Sequence, residues 1–204
     1  MKIKEAIKKT TDILYASFLF LLTTFLTLGL AFGASLTALM RVSFQSCNEK
    51  EPNYVFKLYF KSFKESFKEA TILFVILLVV GISLAFSWHY ALNKDISWLI
   101  VILIVASYEW LVIFIFGFSI ISLFKSKNIF YLFKNIFLLA NGSILLNIIL
   151  LGSILVIIYL VFVWSFFIVL TPMLYALLVS FQLNKRFSPF IKQFKLNESN
   201  INFT

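Results

Sequence analysis

Long apolar runs separated by short polar segments are the main pattern of the chain. They cover residues 13–40, 71–91, 98–124 and 140–181. A helix of about 20 apolar residues crosses a hydrocarbon layer of ~30 Å. The fourth run is too long for one such helix and fits two. We therefore predict an all-α fold, a polytopic transmembrane helical bundle of about five spans in a single integral membrane domain over residues 1–204.

The polar segment between the second and third runs is short enough for a tight turn. It has the sequence LNKDI, at residues 92–96, and is flanked by Trp88 and Trp98. Indole rings concentrate at membrane–water interfaces. We expect these two spans to form a helical hairpin whose turn lies at one face of the membrane.

The composition excludes an ordinary soluble domain. The chain has 204 residues, of which 61% are hydrophobic and only 13% charged. This is too little charge to cover a soluble surface. The net charge of +9 indicates contact with anionic lipid headgroups rather than nucleic acid, because no basic segment stands apart from the apolar runs. The expected partner is therefore the lipid bilayer.

The distribution of Lys and Arg predicts the orientation of the chain. Residues 1–10, 41–70, 125–134 and 185–204 carry four, six, three and four of them, and the hairpin turn carries only Lys94. Cytoplasmic loops are enriched in Lys and Arg. Two arrangements obey this rule: the N-terminus lies outside, or the first run enters the membrane and returns to the same side. Both predict a multi-pass protein of the bacterial cytoplasmic membrane with a cytoplasmic C-terminus.

Two glycines interrupt the first run, in the segment TLGLAFGASLTA at residues 27–38. Gly29 and Gly33 either provide a small-residue face for close helix packing or mark a broken, re-entrant helix. In the last run, Pro172 is expected to kink the final span.

Aromatic and basic residues recur at helical spacing before the second and fourth runs. Their stripes are typical of a helix that lies in the headgroup plane with its rings toward lipid. The residues of these two predicted interfacial helices are Phe60, Phe63, Lys64 and Phe67 in the first, and Phe130, Phe133, Lys134 and Phe137 in the second. A constant offset of 70 relates the two sets and indicates that residues 57–124 recur as residues 127–182. The alternative role of the first helix is to dock a partner protein.

Residues that could carry catalysis are scarce. The single histidine, His89, and the single cysteine, Cys47, are far apart in the sequence, and neither a phosphate-binding glycine loop nor an HExxH motif occurs. We expect no enzymatic activity, no metal site and no cofactor.

Glu109 is the only acidic residue within an apolar run. An ionisable group at that depth faces the bundle interior or a cavity. It either carries a function such as ion coupling or fixes helix packing through a hydrogen bond. Tyr108 and Asn147 are the expected polar partners in this candidate intramembrane site. The threonines of the first run are further candidates: Thr23, Thr24 and Thr27.

The segment at residues 28–82 resembles the YesL-like family, small bacterial membrane proteins with a domain of unknown function. The matching residues are Gly33, Thr37, Ala38 and Leu39, followed by Phe60, Phe63, Lys64, Phe67 and Ala70. The resemblance implies an accessory or regulatory membrane protein, associated with a carbohydrate ABC transporter or a sensor kinase. It implies no catalytic residues. The alternatives are a small-solute or ion-coupled transporter, or the membrane subunit of an ABC exporter.

Overall fold

The protein is all-helical over the part of the chain that the computed structural model describes, which is residues 2–48, 54–124, 129–142, 144–164 and 170–184. Seven helices lie within these residues: α1 (Lys2–Leu26), α2 (Phe32–Asn48), α3 (Val55–Asn93), α4 (Ser97–Leu123), α5 (Ile129–Asn141), α6 (Ile144–Val163) and α7 (Leu170–Asn184). The predicted all-α class is confirmed.

Two of these helices, α3 and α4, are long and apolar enough to cross a membrane. Their most apolar stretches are only 17% and 22% buried. The core helix of a soluble protein would be mostly buried, so this exposure favours association with lipid.

The first apolar run folds as two helices rather than one. α1 ends at Leu26, and the chain turns through residues 27–31 before α2 begins. The N–H of Gly29 donates to the carbonyl oxygen of Thr24 at 2.9 Å, and the N–H of Leu28 donates to the carbonyl oxygen of Phe25 at 3.1 Å. This pair of hydrogen bonds is a Schellman helix end. Leu28 and Gly29 have positive φ angles of 49° and 82°, so Gly29 lies where a residue without a side chain is least strained.

The second helix, α2, forms the centre of the bundle. Most of its described side chains are buried, including Ala34, Ser35 and Thr37. α1, α3 and α4 all pack against it, and its contact with α3 is the most extensive of the three. Small side chains allow this, because they let backbones approach closely on several sides.

The third helix is continuous over 39 residues, about 58 Å at 1.5 Å per residue. The prediction of an interfacial helix separate from the following span is therefore wrong: the Phe/Lys segment and the apolar run form one helix. The buried side chains of α3 follow a helical stripe of mainly small or polar residues in its first half: Val55, Tyr59, Ser62, Ser66, Ala70, Leu73 and Leu77. Phe60 and Phe67 lie beside this stripe and are exposed, while Phe63 is half-buried.

The second Phe/Lys segment forms α5, which packs along α4. Its pattern of exposure repeats that of α3 at the offset of 70 residues: Phe133 is half-buried like Phe63, and Lys134 is exposed like Lys64. Phe137 is likewise exposed, as is Phe67. The side chain of Phe130 lies outside the described residues. The copies differ in length, because α3 continues for 23 residues beyond Ala70, whereas α5 ends at Asn141.

Hydrogen bonds from two indoles join α3 and α4 into the predicted antiparallel hairpin. Trp110 Nε1 donates to the carbonyl oxygen of Leu77 at 2.8 Å, and Trp88 Nε1 donates to Ser107 Oγ at 3.0 Å. The partners converge in sequence toward the turn between Asn93 and Ser97, as in a helical hairpin.

Four helices meet closely at one level of the bundle, which we call the Gly33 level. A methyl group on Gly33 would lie against the Ala70 carbonyl oxygen and 3.0 Å from Phe118 Cε1. A methyl group on the neighbouring Gly117 would lie 2.6 Å from a side-chain carbon of Leu73 and 3.7 Å from one of Ile136. The Gly33 level therefore includes α2, α3, α4 and α5.

The last exposed lysines of the two Phe/Lys segments lie close to this level. Lys68 precedes Ala70 by two residues, and Lys134 precedes Ile136 by two. The apolar run of α3 begins at Thr71. Along α3, the series of exposed lysines therefore ends, and the apolar run begins, at the Gly33 level.

Gly33→Ala is expected to lower stability, by about 1–3 kcal/mol, because the added methyl must push the α3 backbone away. Gly152→Ala in α6 is the matched control, since nothing lies within 4 Å of a methyl group there. Thermal unfolding in mild detergent measures both. Equal melting temperatures for the two variants would contradict the close contact at Gly33.

Candidate functional site

Glu109 lies on α4, half-buried, at the depth of the apolar half of α3. The adjacent Trp110 fixes this depth, because its indole packs on Gly81 and bonds to Leu77. Both of those residues lie inside the apolar run 71–91. The carboxyl group is therefore surrounded by segments that offer few polar groups.

The observed partner of Glu109 is Asn141, the last residue of α5. Asn141 Nδ2 donates to Glu109 Oε2 at 3.1 Å. The sequence suggested Asn147 as the partner, but the Asn147 amide donates instead to Tyr108 Oη at 3.2 Å. The sequence feature that could have indicated Asn141 as a partner is its position at the end of the second Phe/Lys segment, next to Gly142.

Two successive residues of α4 thus hold the two sides of one helix junction. Glu109 binds the end of α5, and Tyr108 binds the first turns of α6 through Asn147, which is 1% exposed. Hydrogen bonds of this kind satisfy polar groups that would be costly in an apolar environment. The arrangement can position the α5–α6 junction, and it also places a carboxylate beside the break between two helices.

The threonines proposed as partners of Glu109 lie elsewhere. Thr23 Oγ1 is 2.8 Å from Tyr59 Oη and 3.0 Å from Ser35 Oγ. All three side chains are buried, so this cluster ties α1, α2 and α3 together. Sequence reasoning missed it, because Tyr59 lies among the phenylalanines and lysines that dominate that segment.

A second unforeseen contact joins α2 to the end of α4. Arg41 Nη1 donates to the carbonyl oxygen of Ser122 at 2.6 Å. The last carbonyl groups of a helix have no partner within the helix, and a cation there is favourable. The sequence identified Arg41 only as one of the basic residues that set the orientation.

The other residues named from the sequence lie in separate places. Gly29 is in the α1–α2 turn, and Gly33 is in the contact between α2 and α3. Pro172 is buried near the start of α7, and the carbonyl groups that a kink would free lie among residues 165–169, outside the described residues.

The candidate groups for chemistry do not converge on a metal site. His89 Nε2 is 2.9 Å from Asn93 Nδ2 at the end of α3. Cys47 lies near the end of α2, where burial raises the pKa of its thiol and the charge of Lys9 only partly offsets this. Within the described residues, no group of three His, Cys, Asp or Glu side chains could hold a metal ion.

Residues 13–88 match the family described as "Protein of unknown function, DUF624". The resemblance to the YesL-like family is consistent with this match. The matched segment covers most of α1, the turn, α2 and most of α3, and it ends before α4, so Glu109 lies outside it. No curated protein and no solved structure matches the chain.

Replacement of Glu109 separates a packing role from an ion-coupling role. Glu109→Gln keeps an acceptor oxygen for Asn141 and is expected to leave stability and growth nearly unchanged. Glu109→Leu leaves the Asn141 amide without that acceptor and is expected to cost about 1–3 kcal/mol. Thermal unfolding and growth of both variants are the measurements. A normal melt with impaired growth in Glu109→Gln alone would contradict the packing role, since Gln keeps the acceptor oxygen for Asn141 and lacks only the ionisable group.

Proposed function

We propose that this protein is a non-enzymatic accessory or regulatory integral membrane protein of the bacterial cytoplasmic membrane. Its partner is a carbohydrate ABC transporter or a sensor kinase, as the YesL-like resemblance implies. The observation that carries the proposal is an exposed aromatic and basic face on the first half of α3. We call it the Phe/Lys face; it consists of Phe56, Lys57, Phe60, Lys61 and Lys64.

The Phe/Lys face lies too far from the apolar half of α3 to contact hydrocarbon. Phe56 and Phe60 are 55% and 37% exposed. They precede Ala70, at the Gly33 level, by 14 and 10 residues, which is about 21 Å and 15 Å along the helix. Exposed rings outside the hydrocarbon layer favour a protein partner.

The charges of the Phe/Lys face suit an acidic surface on that partner. Lys57, Lys61 and Lys64 are all exposed beside the two rings. Aromatic rings supply much of the binding energy of protein interfaces, while surface lysines steer association.

In the proposed topology, the α1–α2 hairpin begins and ends on the cytoplasmic side, and so does the C-terminus. The turn at residues 27–31 supports the arrangement in which the first run enters and returns. That arrangement places 17 of the 18 basic residues on one side. In this topology the remaining apolar runs supply four full spans and the hairpin is the re-entrant segment, with α3 and α4 as the two helices that are long enough to span on their own.

A second candidate function is ion-coupled or small-solute transport, with Glu109 as the coupling group. The observation that favours it is the hydrogen bond that Asn141, at the end of α5 and close to the start of α6, donates to Glu109. Broken helices near the membrane midplane are where transporters place their binding sites. The membrane subunit of an ABC exporter is a variant of the docking proposal, with a separate ATPase on the Phe/Lys face.

Photocrosslinking from the Phe/Lys face tests the docking proposal. A photoreactive phenylalanine analogue at Phe56 or Phe60 is expected to form protein adducts in intact cells, and mass spectrometry should identify a permease or a kinase in them. Phe86, which is 72% exposed on the apolar half of α3, is the matched control and should give lipid adducts. Protein adducts at Phe86 but none at Phe56 and Phe60 would refute the docking face.

Thiol labelling of single cysteines tests the topology. In a Cys47→Ser background, cysteines at Lys64, Ser126 and Asn197 should react from the cytoplasmic side, and a cysteine at Asn93 should react from the other side. The reason is that basic segments stay in the cytoplasm. Labelling of Lys64 and Asn93 from one side would exclude the hairpin of α3 and α4 as a membrane-crossing unit.

A further inference from the structure

The end of α1 and the turn that follows it expose four large apolar side chains. They are Phe25 (80% exposed), Leu26 (70%), Leu28 (89%) and Leu30 (77%). We call them the hairpin tip. A turn in water is usually built from glycine, asparagine or other polar residues. These side chains therefore require an apolar environment that the described helices do not provide.

The backbone N–H groups of the same turn need no water. The N–H groups of residues 27–30 and 32 donate to backbone carbonyl oxygens within the hairpin, at 2.9–3.1 Å. The donor–acceptor pairs are 27 to 23, 28 to 25, 29 to 24, 30 to 27 and 32 to 29. The N–H of Ala31 donates to Thr27 Oγ1 at 3.3 Å. Six successive donors are thus satisfied within the hairpin. Unsatisfied backbone groups exclude most irregular turns from a bilayer, and the N–H groups of this turn avoid that cost.

The residue at the strained position also indicates a lipid environment. Leu28 has a φ angle of 49°, which glycine or asparagine adopts more readily than leucine. The chain therefore keeps a large apolar side chain at the point where a polar or small residue would relieve strain.

Contacts on both sides of the turn fix its depth. Thr23, just before the tip, bonds to Tyr59, which lies between Lys57 and Lys61. Gly33, just after the tip, lies against Ala70. Leu28 is only five residues from Gly33, about 8 Å at a helical rise. The tip therefore lies where the exposed lysines of α3 end and its apolar half begins, rather than at the middle of the spans.

We propose that the hairpin tip is a shallow membrane wedge. It inserts into the boundary between headgroups and acyl chains of the leaflet on the basic side and does not extend further into the bilayer. Amphipathic segments at this boundary insert by about 5–10 Å. The lysines at the same level supply the charge complementarity: Lys68 and Lys134 are exposed beside the Gly33 level, and anionic headgroups are their natural counterions. The occupant of the tip is thus lipid, and the wedge is independent of any partner bound to the Phe/Lys face.

Spin labels on the full-length protein test the wedge. A nitroxide is attached at Leu28→Cys or Leu30→Cys in the Cys47→Ser background. The protein is then reconstituted into vesicles of phosphatidylcholine and phosphatidylglycerol. Oxygen concentrates in hydrocarbon and a charged nickel chelate stays in water, so the ratio of their collision rates with the label reports its depth. Lys61→Cys serves as the aqueous control and Val79→Cys, within the apolar run and 59% exposed in the native chain, as the deep control.

The ratio at Leu28 and Leu30 is expected to lie between those of the two controls. A ratio equal to that of Lys61 would place the tip in water and overturn the proposal. A ratio equal to that of Val79 would place it at the depth of a full re-entrant segment and also overturn it. Low collision rates with both reagents would mean that a second copy or another protein covers the tip, which contradicts a lipid occupant. Two labelled positions keep the test valid if Leu28→Cys alone fails to fold.

Discussion

The close contact between α2 and α3 determines how the remaining helices are arranged. Gly33 lies against the backbone of Ala70, and the buried stripe of α3 opposite α2 includes Ser62 and Ser66. Without bulky side chains between them, the two backbones approach closely and pack over a long contact. This contact holds the first half of α3 beside α2 and in line with its apolar half. With the apolar half crossing the membrane, as proposed above, the Phe/Lys segment does not lie along the membrane surface, whatever the attraction of its rings for lipid.

The hydropathy pattern of the sequence predicts where helices form, but it does not show which face of a helix packs against its neighbours. This difference explains which parts of the fold could be predicted. The apolar runs correctly gave an all-helical chain and the α3–α4 hairpin, because run length and turn composition are local properties. The orientation of the Phe/Lys segment could not be read in the same way. Its conspicuous stripe is made of phenylalanines, yet the face that packs contains Ser62, Ser66 and Ala70, which are unremarkable in a hydropathy pattern.

The candidate site shows the same limit at the level of single residues. Glu109 was identified because an acid within an apolar run is rare, which is a property of the sequence alone. Its partner depends on how α5 and α6 pack against α4. Asn141 and Asn147 are both amides near the start of the fourth run, and only the helix junction assigns the first to Glu109 and the second to Tyr108. The two glycines likewise allowed two predictions from the sequence, a break in the helix or close helix packing. In the structure, Gly29 lies in the turn between two helices and Gly33 lies in a close packing contact.

The continuity of α3 has a mechanical consequence for the proposed docking of a partner at the Phe/Lys face. Helix hinges arise at proline, at glycine pairs, or where the hydrogen-bond ladder is interrupted. α3 contains no proline, and its single glycine, Gly81, is covered by the indole of Trp110. A displacement of Phe56 is therefore transmitted along a stiff helix to the Gly33 level. Any response to a bound partner must then occur as a shift of α3 against α2 and α4 at this level, next to the hairpin tip, rather than as a bend within α3.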